Sequence, residues 1–305
     1  MIKKIFAPLL AAIIWGTAFV AQSIGADLVP NNPFAFNAAR SVVAVITLAI
    51  ILLISKAIKP RQGDAPKPKS NKKALLLGGL CCGTAMAVAT GLQQIGLGET
   101  DAGKAGFITA LYIVLVPVFS LFLGRKTSLL TAFSVVVTVI GMYLLCVSDG
   151  FTIQSSDIYI ILCGVVFTFQ IMCIDHFAPQ TNSIALSLAQ FAVMAVESAV
   201  VSFLFEEPAW DGLIAACIPI LYLGIFSSGI AYTLQIYAQK GSDPTLVALL
   251  LSLESVFGAI AGALMGETMT GREYLGCALM LIAVVLSQLP PDMMKNVLRR
   301  KVKSQ

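Results

Sequence analysis

The segment ATGLQQIGLGETDAGKAGFITALYIVLVPVFSLFLG, residues 89–124, returns in outline as AYTLQIYAQKGSDPTLVALLLSLESVFGAIAGALMG, residues 231–266. A shift of 142 residues places Ala89, Leu92 and Gln93 on Ala231, Leu234 and Gln235. The same shift sets Asp101 on Asp243, Leu111 on Leu253 and Gly124 on Gly266, with no gap. Each copy ends one apolar run, turns at an acid and enters a second apolar run. The chain therefore reads as two copies of one unit. The runs upstream of each segment correspond at a larger shift, which the Lys- and Pro-rich stretch 56–73 of the first half accounts for.

Composition says what solvent this unit faces. Of 305 residues, 58% are hydrophobic and 12% charged, where a soluble domain has about 25% charged. Mean hydropathy is +0.89. A chain without a charged shell needs the bilayer as its solvent. Disorder, a coiled coil and an ordinary soluble enzyme are excluded on the same ground. Apolar runs fall at 6–25, 33–55, 74–96, 104–124, 128–147, 157–175, 184–204, 212–238, 244–265 and 272–289. They match the ~20 residues of a membrane helix and are too long for barrel strands. Helices also satisfy their own backbone hydrogen bonds in lipid. Lys3 and Lys4 before the first run imitate a signal peptide. No A-x-A site follows, so the run is read as the first membrane helix.

Loop charges give the orientation. Lys3, Lys4, seven basic residues within 56–73, Arg125, Lys126, Lys240 and five in 295–303 make 17 of the 20 Lys and Arg. All fall on one side of a ten-span chain, and basic loops stay cytoplasmic. Acids such as Asp27, Glu99, Asp101, Asp149, Glu206, Glu207 and Glu267 occupy the other side. The expected fold is an all-α membrane protein of ten transmembrane helices in a five-plus-five inverted repeat, both termini cytoplasmic. Residues 1–147 form the first repeat, 148–290 the second and 291–305 a basic tail. Five is odd, so the second copy enters the membrane upside down. Inverted repeats recur in secondary transporters, with the substrate site near the midplane.

Several chemistries drop out. The seven cysteines all lie in apolar runs without CxxC spacing, and His176 is the single histidine, so neither a zinc site nor a disulfide framework is expected. The basic residues form loops rather than a domain, which removes nucleic acid as a partner. Gly98 followed by Gly103-Lys104 approaches a phosphate loop, but Ala105 stands where Ser or Thr would hold magnesium and no strand precedes it. G-x-S-x-G is absent.

Four stretches then carry a resemblance: WGTAFV (15–20), NAARSVVA (37–44), GKAGFITALYIVLVPVFSLFLGRK (103–126) and AYTLQIYAQKGSDPTLVALLLSLESVFGAIAGALMGETMT (231–270). In this order, over nearly the whole chain, they resemble the EamA-type members of the drug/metabolite transporter superfamily. The resemblance implies ten helices, no cofactor and movement of small metabolites or drugs. Ser255 stands where many relatives have Pro, and Arg125 where many have Glu.

The candidate site residues are Trp15, Gln93, Tyr112, Gln170, Tyr232, Gln235 and Glu254. Ionisable groups inside spans are expensive and face the bundle interior. Glu254 lies mid-span and corresponds to Tyr112 by the repeat. It reads as a partner for a substrate amine, a proton-coupling carboxyl, or a structural hydrogen bond to a neighbouring helix. Gln93 and Gln235 are repeat partners; membrane amides equally serve as helix glue. Trp15 and Tyr232 could supply stacking walls. Arg40 is expected to snorkel from an outer helix, with Glu197 a candidate partner. Gly258, Gly262 and Gly266 make overlapping GxxxG steps, which favour packing inside the bundle over a homodimer seam. The expected function is alternating-access transport of amino acids or related metabolites, in the export direction. Partners are then a small-molecule substrate, the lipid bilayer and coupling protons, at the plasma membrane (the inner membrane of a bacterium). The alternatives are a translocator of lipid-linked or amphipathic molecules, and an intramembrane enzyme or structural protein.

Overall fold

The computed structural model describes residues 2–57, 71–100, 102–125, 127–147, 154–207, 210–264 and 268–289. Most of the basic loop, 58–70, and the basic tail lie outside the described residues. The described chain is helical. Its elements are α1 (Ile2–Leu28), α2 (Pro33–Ala57), α3 (Lys72–Leu97), α4 (Ala102–Thr109), α5 (Tyr112–Phe122), α6 (Leu129–Cys146), α7 (Ser155–Phe177), α8 (Ser183–Phe205), α9 (Trp210–Ala215) and α10 (Cys217–Tyr222). A π-helical stretch, Leu223–Ala231, follows, then α11 (Tyr232–Gln239), α12 (Pro244–Leu251), α13 (Glu254–Leu264) and α14 (Gly271–Ser287). Nine stretches among the described residues are long and apolar enough to cross a membrane. The chain is a multi-pass integral membrane protein. The helix at the tenth apolar run, α14, has 17 residues.

Polar residues set where helices begin. Asn71, Ser128, Asn182 and Asp243 accept hydrogen bonds from the first-turn N–H groups of α3, α6, α8 and α12, filling donors that a helix leaves orphaned. One cap acts across space. Glu206, after α8, accepts from the backbone N–H of Phe34 and Ala35 at 2.8 Å each. It binds the end of the seventh span to the start of the second.

The packing exchanges the two halves. α3 lies against α7, as the π stretch and α11 lie against α1. α3 also meets α8, as the π stretch meets α2. α4 and α5 pack on α7, as α12 and α13 pack on α1. Close approaches rest on glycine. A Cβ on Gly16 would stand 2.6 Å from the Glu254 carbonyl oxygen, and one on Gly276 would stand 2.5 Å from the Gly141 oxygen. The helix backbones therefore meet where no larger residue fits.

The fourth and ninth spans, expected as single helices, are each broken. The first break is at Ala110–Leu111 and the second at Ser252–Leu253, positions that the repeat makes equivalent. At both, the backbone tightens to i→i−3 bonds: Ile113 N–H to Ala110 O at 2.9 Å, and Ser255 N–H to Ser252 O at 3.3 Å. In the first half Pro117 cannot donate to Ile113. In the second there is no proline inside the helix. Instead Ser252 Oγ donates to the Leu249 carbonyl at 2.7 Å, a side-chain competition that bends helices. Tyr112 and Glu254 thus each begin a half-helix, α5 and α13.

Candidate functional site

The two breaks face one cavity of about 50 Å³. All seven sequence candidates line it: Trp15, Gln93, Tyr112, Gln170, Tyr232, Gln235 and Glu254. They come from α1, α3, α5, α7, α11 and α13, so both halves contribute.

The two repeat partners at the breaks touch. Tyr112 Oη donates to Glu254 Oε1 at 3.3 Å, the one side-chain hydrogen bond of Glu254 among the described residues. Glu254 is 5% exposed. The repeat partners Gln93 and Gln235 differ in use. Gln93 Oε1 accepts from Gln22 Nε2 at 3.0 Å, and its Nε2 donates to Thr109 Oγ1 at 3.3 Å. Gln235 Oε1 has no partner among the described residues. Gln170 spends Nε2 on Gln190 Oε1 at 3.4 Å and leaves its own Oε1 without a partner. Trp15 and Tyr232 pack on each other with ring centroids 4.6 Å apart, forming an aromatic wall. Trp15 Nε1 is unpartnered among the described residues.

Arg40 corrects the sequence reading. It was expected to reach the lipid interface from an outer helix. It is 4% exposed and lines the same cavity. The cause is the second neighbour of α2. Besides α8, the π stretch packs against it, and Gly224 comes so near that a Cβ there would lie 2.8 Å from the Arg40 carbonyl oxygen. No acid lies within ion-pairing distance of Arg40 among the described residues. Glu197, its suggested partner, accepts instead from Thr84 Oγ1 at 2.6 Å.

Other residues fall elsewhere. Lys104 of the near-phosphate-loop pairs with Asp157 at 2.5 Å. Gly258 packs on Gly16 inside the bundle; Gly266 lies outside the described residues. Gln22, Thr109 and Ser227 also line the cavity and were not singled out from sequence. Ser227 sits in the π stretch, whose wider turn leaves no periodic signature to read.

The profile of the EamA-like transporter family matches residues 2–147 and 154–289. The chain belongs to the EamA-like transporter family. This EamA-like transporter is 28% identical over 299 residues to an uncharacterized transporter of Archaeoglobus fulgidus, covering 94% of this chain and 87% of that one. It is 25% identical over 295 residues to a protein of Streptantibioticus cattleyicolor named "probable terminal-alkyne amino-acid exporter", covering 93% of each. A solved crystal structure 18% identical superposes at a TM-score of 0.76, covering 95% of this chain and 98% of the other; that likeness concerns the fold. The matched family segments meet across the cavity, so the site of this EamA-like transporter is shared between them.

Proposed function

We propose that the protein is a secondary transporter that exports amino acids or related small metabolites by alternating access. In this reading ten helices cross the plasma membrane, both termini are cytoplasmic, and the second repeat (148–290) is inverted against the first (1–147). The basic tail 291–305 stays at the cytoplasmic surface. The observation that carries the reading is the cavity at the two equivalent helix breaks, lined from both halves and holding buried Glu254. Broken helices at a repeat interface are where secondary transporters bind their cargo, and an intramembrane carboxyl marks a substrate or ion pathway. Family membership and the name of the Streptantibioticus relative support transport, and the latter supports amino-acid export. The driving force is an ion gradient, protons first, or the substrate's own gradient. The protein has no catalytic role in this account.

Purified protein in liposomes tests it. Vesicles loaded with labelled amino acids should release them faster than protein-free vesicles, with or without an imposed pH gradient. No flux of any of the twenty amino acids under either condition would refute amino-acid transport.

A further inference from the structure

The cavity holds one basic and one acidic side chain, both almost fully buried, and they are not paired with each other. Arg40 is 4% exposed and Glu254 is 5% exposed, and the ion pairs formed among the described residues involve neither. Tyr232 lines the cavity with both. The unused hydrogen-bonding atoms also divide by kind. On the donor side are Arg40 Nε and Trp15 Nε1; on the acceptor side are Gln170 Oε1 and Gln235 Oε1. The remaining oxygen of Glu254 adds to the acceptors, since Tyr112 engages Oε1. Burying a polar group without a partner is costly, and burying an unpaired charge costs more. A site that keeps two such charges and four such atoms is built for a ligand that supplies all their partners at once.

Resting on the transport reading above, we propose that this cavity binds its substrate as a zwitterion in a fixed orientation. Arg40 takes the carboxylate, assisted by Trp15, and Glu254 takes the ammonium, assisted by Gln170 and Gln235. A guanidinium suits a carboxylate because its planar fork can donate two parallel hydrogen bonds. An ammonium has three donors and no acceptor, which matches three acceptor oxygens. A cationic amine would leave Arg40 unpaired beside a second positive charge. A simple anion would leave Glu254 unpaired beside a second negative one. Arg40 is thus a specificity-determining residue, which separates amino acids from amines.

The test is binding, measured by thermal stabilisation and tryptophan fluorescence of the purified full-length protein. The twenty standard L-amino acids are screened first. Those that bind are compared with their methyl esters, which keep only the cation, and their N-acetyl derivatives, which keep only the anion. The expected result is that both derivatives bind at least tenfold more weakly than the parent. Arg40→Gln should narrow the gap between parent and ester, Glu254→Gln the gap between parent and N-acetyl compound, and Arg40→Lys should restore part of the Arg40→Gln loss. Esters that bind wild-type protein as tightly as their parents would overturn the proposal even if no variant folds. So would an absence of binding by all twenty amino acids. Flux of non-zwitterionic metabolites in the same preparation would then leave the transporter reading standing.

Discussion

Tyr112 Oη donates to Glu254 Oε1 at 3.3 Å, across an interval of 142 residues, the interval at which the two halves of the chain repeat. Each partner begins the second piece of a broken helix, so the bond joins the two breaks. An acid in the first turn of α13 is also favoured by the helix dipole.

Tyr112→Phe should keep the fold, because the ring stays in the apolar cluster with Ile113, Val116 and Leu253. Loss of one hydrogen bond to a carboxyl should cost about 1.5–3 kcal/mol if the acid is ionised, and about 1 kcal/mol if it is neutral. A double-mutant cycle with Glu254→Gln, read by thermal unfolding in detergent, checks it. Additive single losses would show that the bond contributes nothing.

Glycine contacts predict a contrast between two alanine substitutions. A Cβ on Gly16 would press on backbone atoms of Glu254, Phe257 and Gly258 at 2.6–2.9 Å. Backbone cannot turn aside as a side chain can, so Gly16→Ala should cost about 1–3 kcal/mol and displace the start of α13. A Cβ on Gly106 would meet nothing within 4 Å. Gly106→Ala should be neutral, or stabilise by up to about 1 kcal/mol through helix propensity. Unfolding midpoints of both variants against wild type decide it.

How much of this was legible in the sequence follows from how each feature is written there. Helix positions are written in composition and period, so the apolar runs are found within a few residues of α1, α2, α3, α6, α7 and α8. The central site is legible through the repeat, which pairs Tyr112 with Glu254 and Gln93 with Gln235. The helix breaks are not legible in the same way. Ala110–Leu111 and Ser252–Leu253 carry no glycine or proline at the break itself, and the bend at the second comes from a serine hydroxyl rather than a proline. Arg40 was misplaced because a single helix does not announce its neighbours. Its burial depends on the π stretch of a span some 180 residues away, brought close by Gly224.

Topology has a direct test. Pro66→Cys and Ala209→Cys lie in loops that the charge pattern assigns to opposite faces of the membrane. A membrane-impermeant maleimide applied to intact cells should label the cysteine at 209 and spare the one at 66. Inverted vesicles should give the reverse. Labelling of both from one side would overturn the ten-span inverted arrangement.

The last prediction compares two ion pairs that tie the fourth span to the sixth at opposite ends. Lys104 pairs with Asp157 near the start of α7, and Arg125 pairs with Asp175 near its end, both at 2.5 Å. Their surroundings differ. The Asp157 side chain is 0% exposed, and it also accepts from the Gln154 N–H at 2.7 Å and from Thr100 Oγ1 at 3.2 Å. The Arg125 side chain is 48% exposed, so water competes for it, although its hydrogen bond to Asp175 holds the guanidinium above its ordinary pKa. Exposed pairs contribute about 0–1 kcal/mol, whereas removing one member of a buried pair costs about 3–5 kcal/mol. Asp157→Ala should therefore lower the unfolding midpoint sharply and loosen the start of α4, the half-helix that leads to the first break. Arg125→Ala should barely move it. Equal midpoints for Asp157→Ala and Arg125→Ala would show that burial does not distinguish the two clamps.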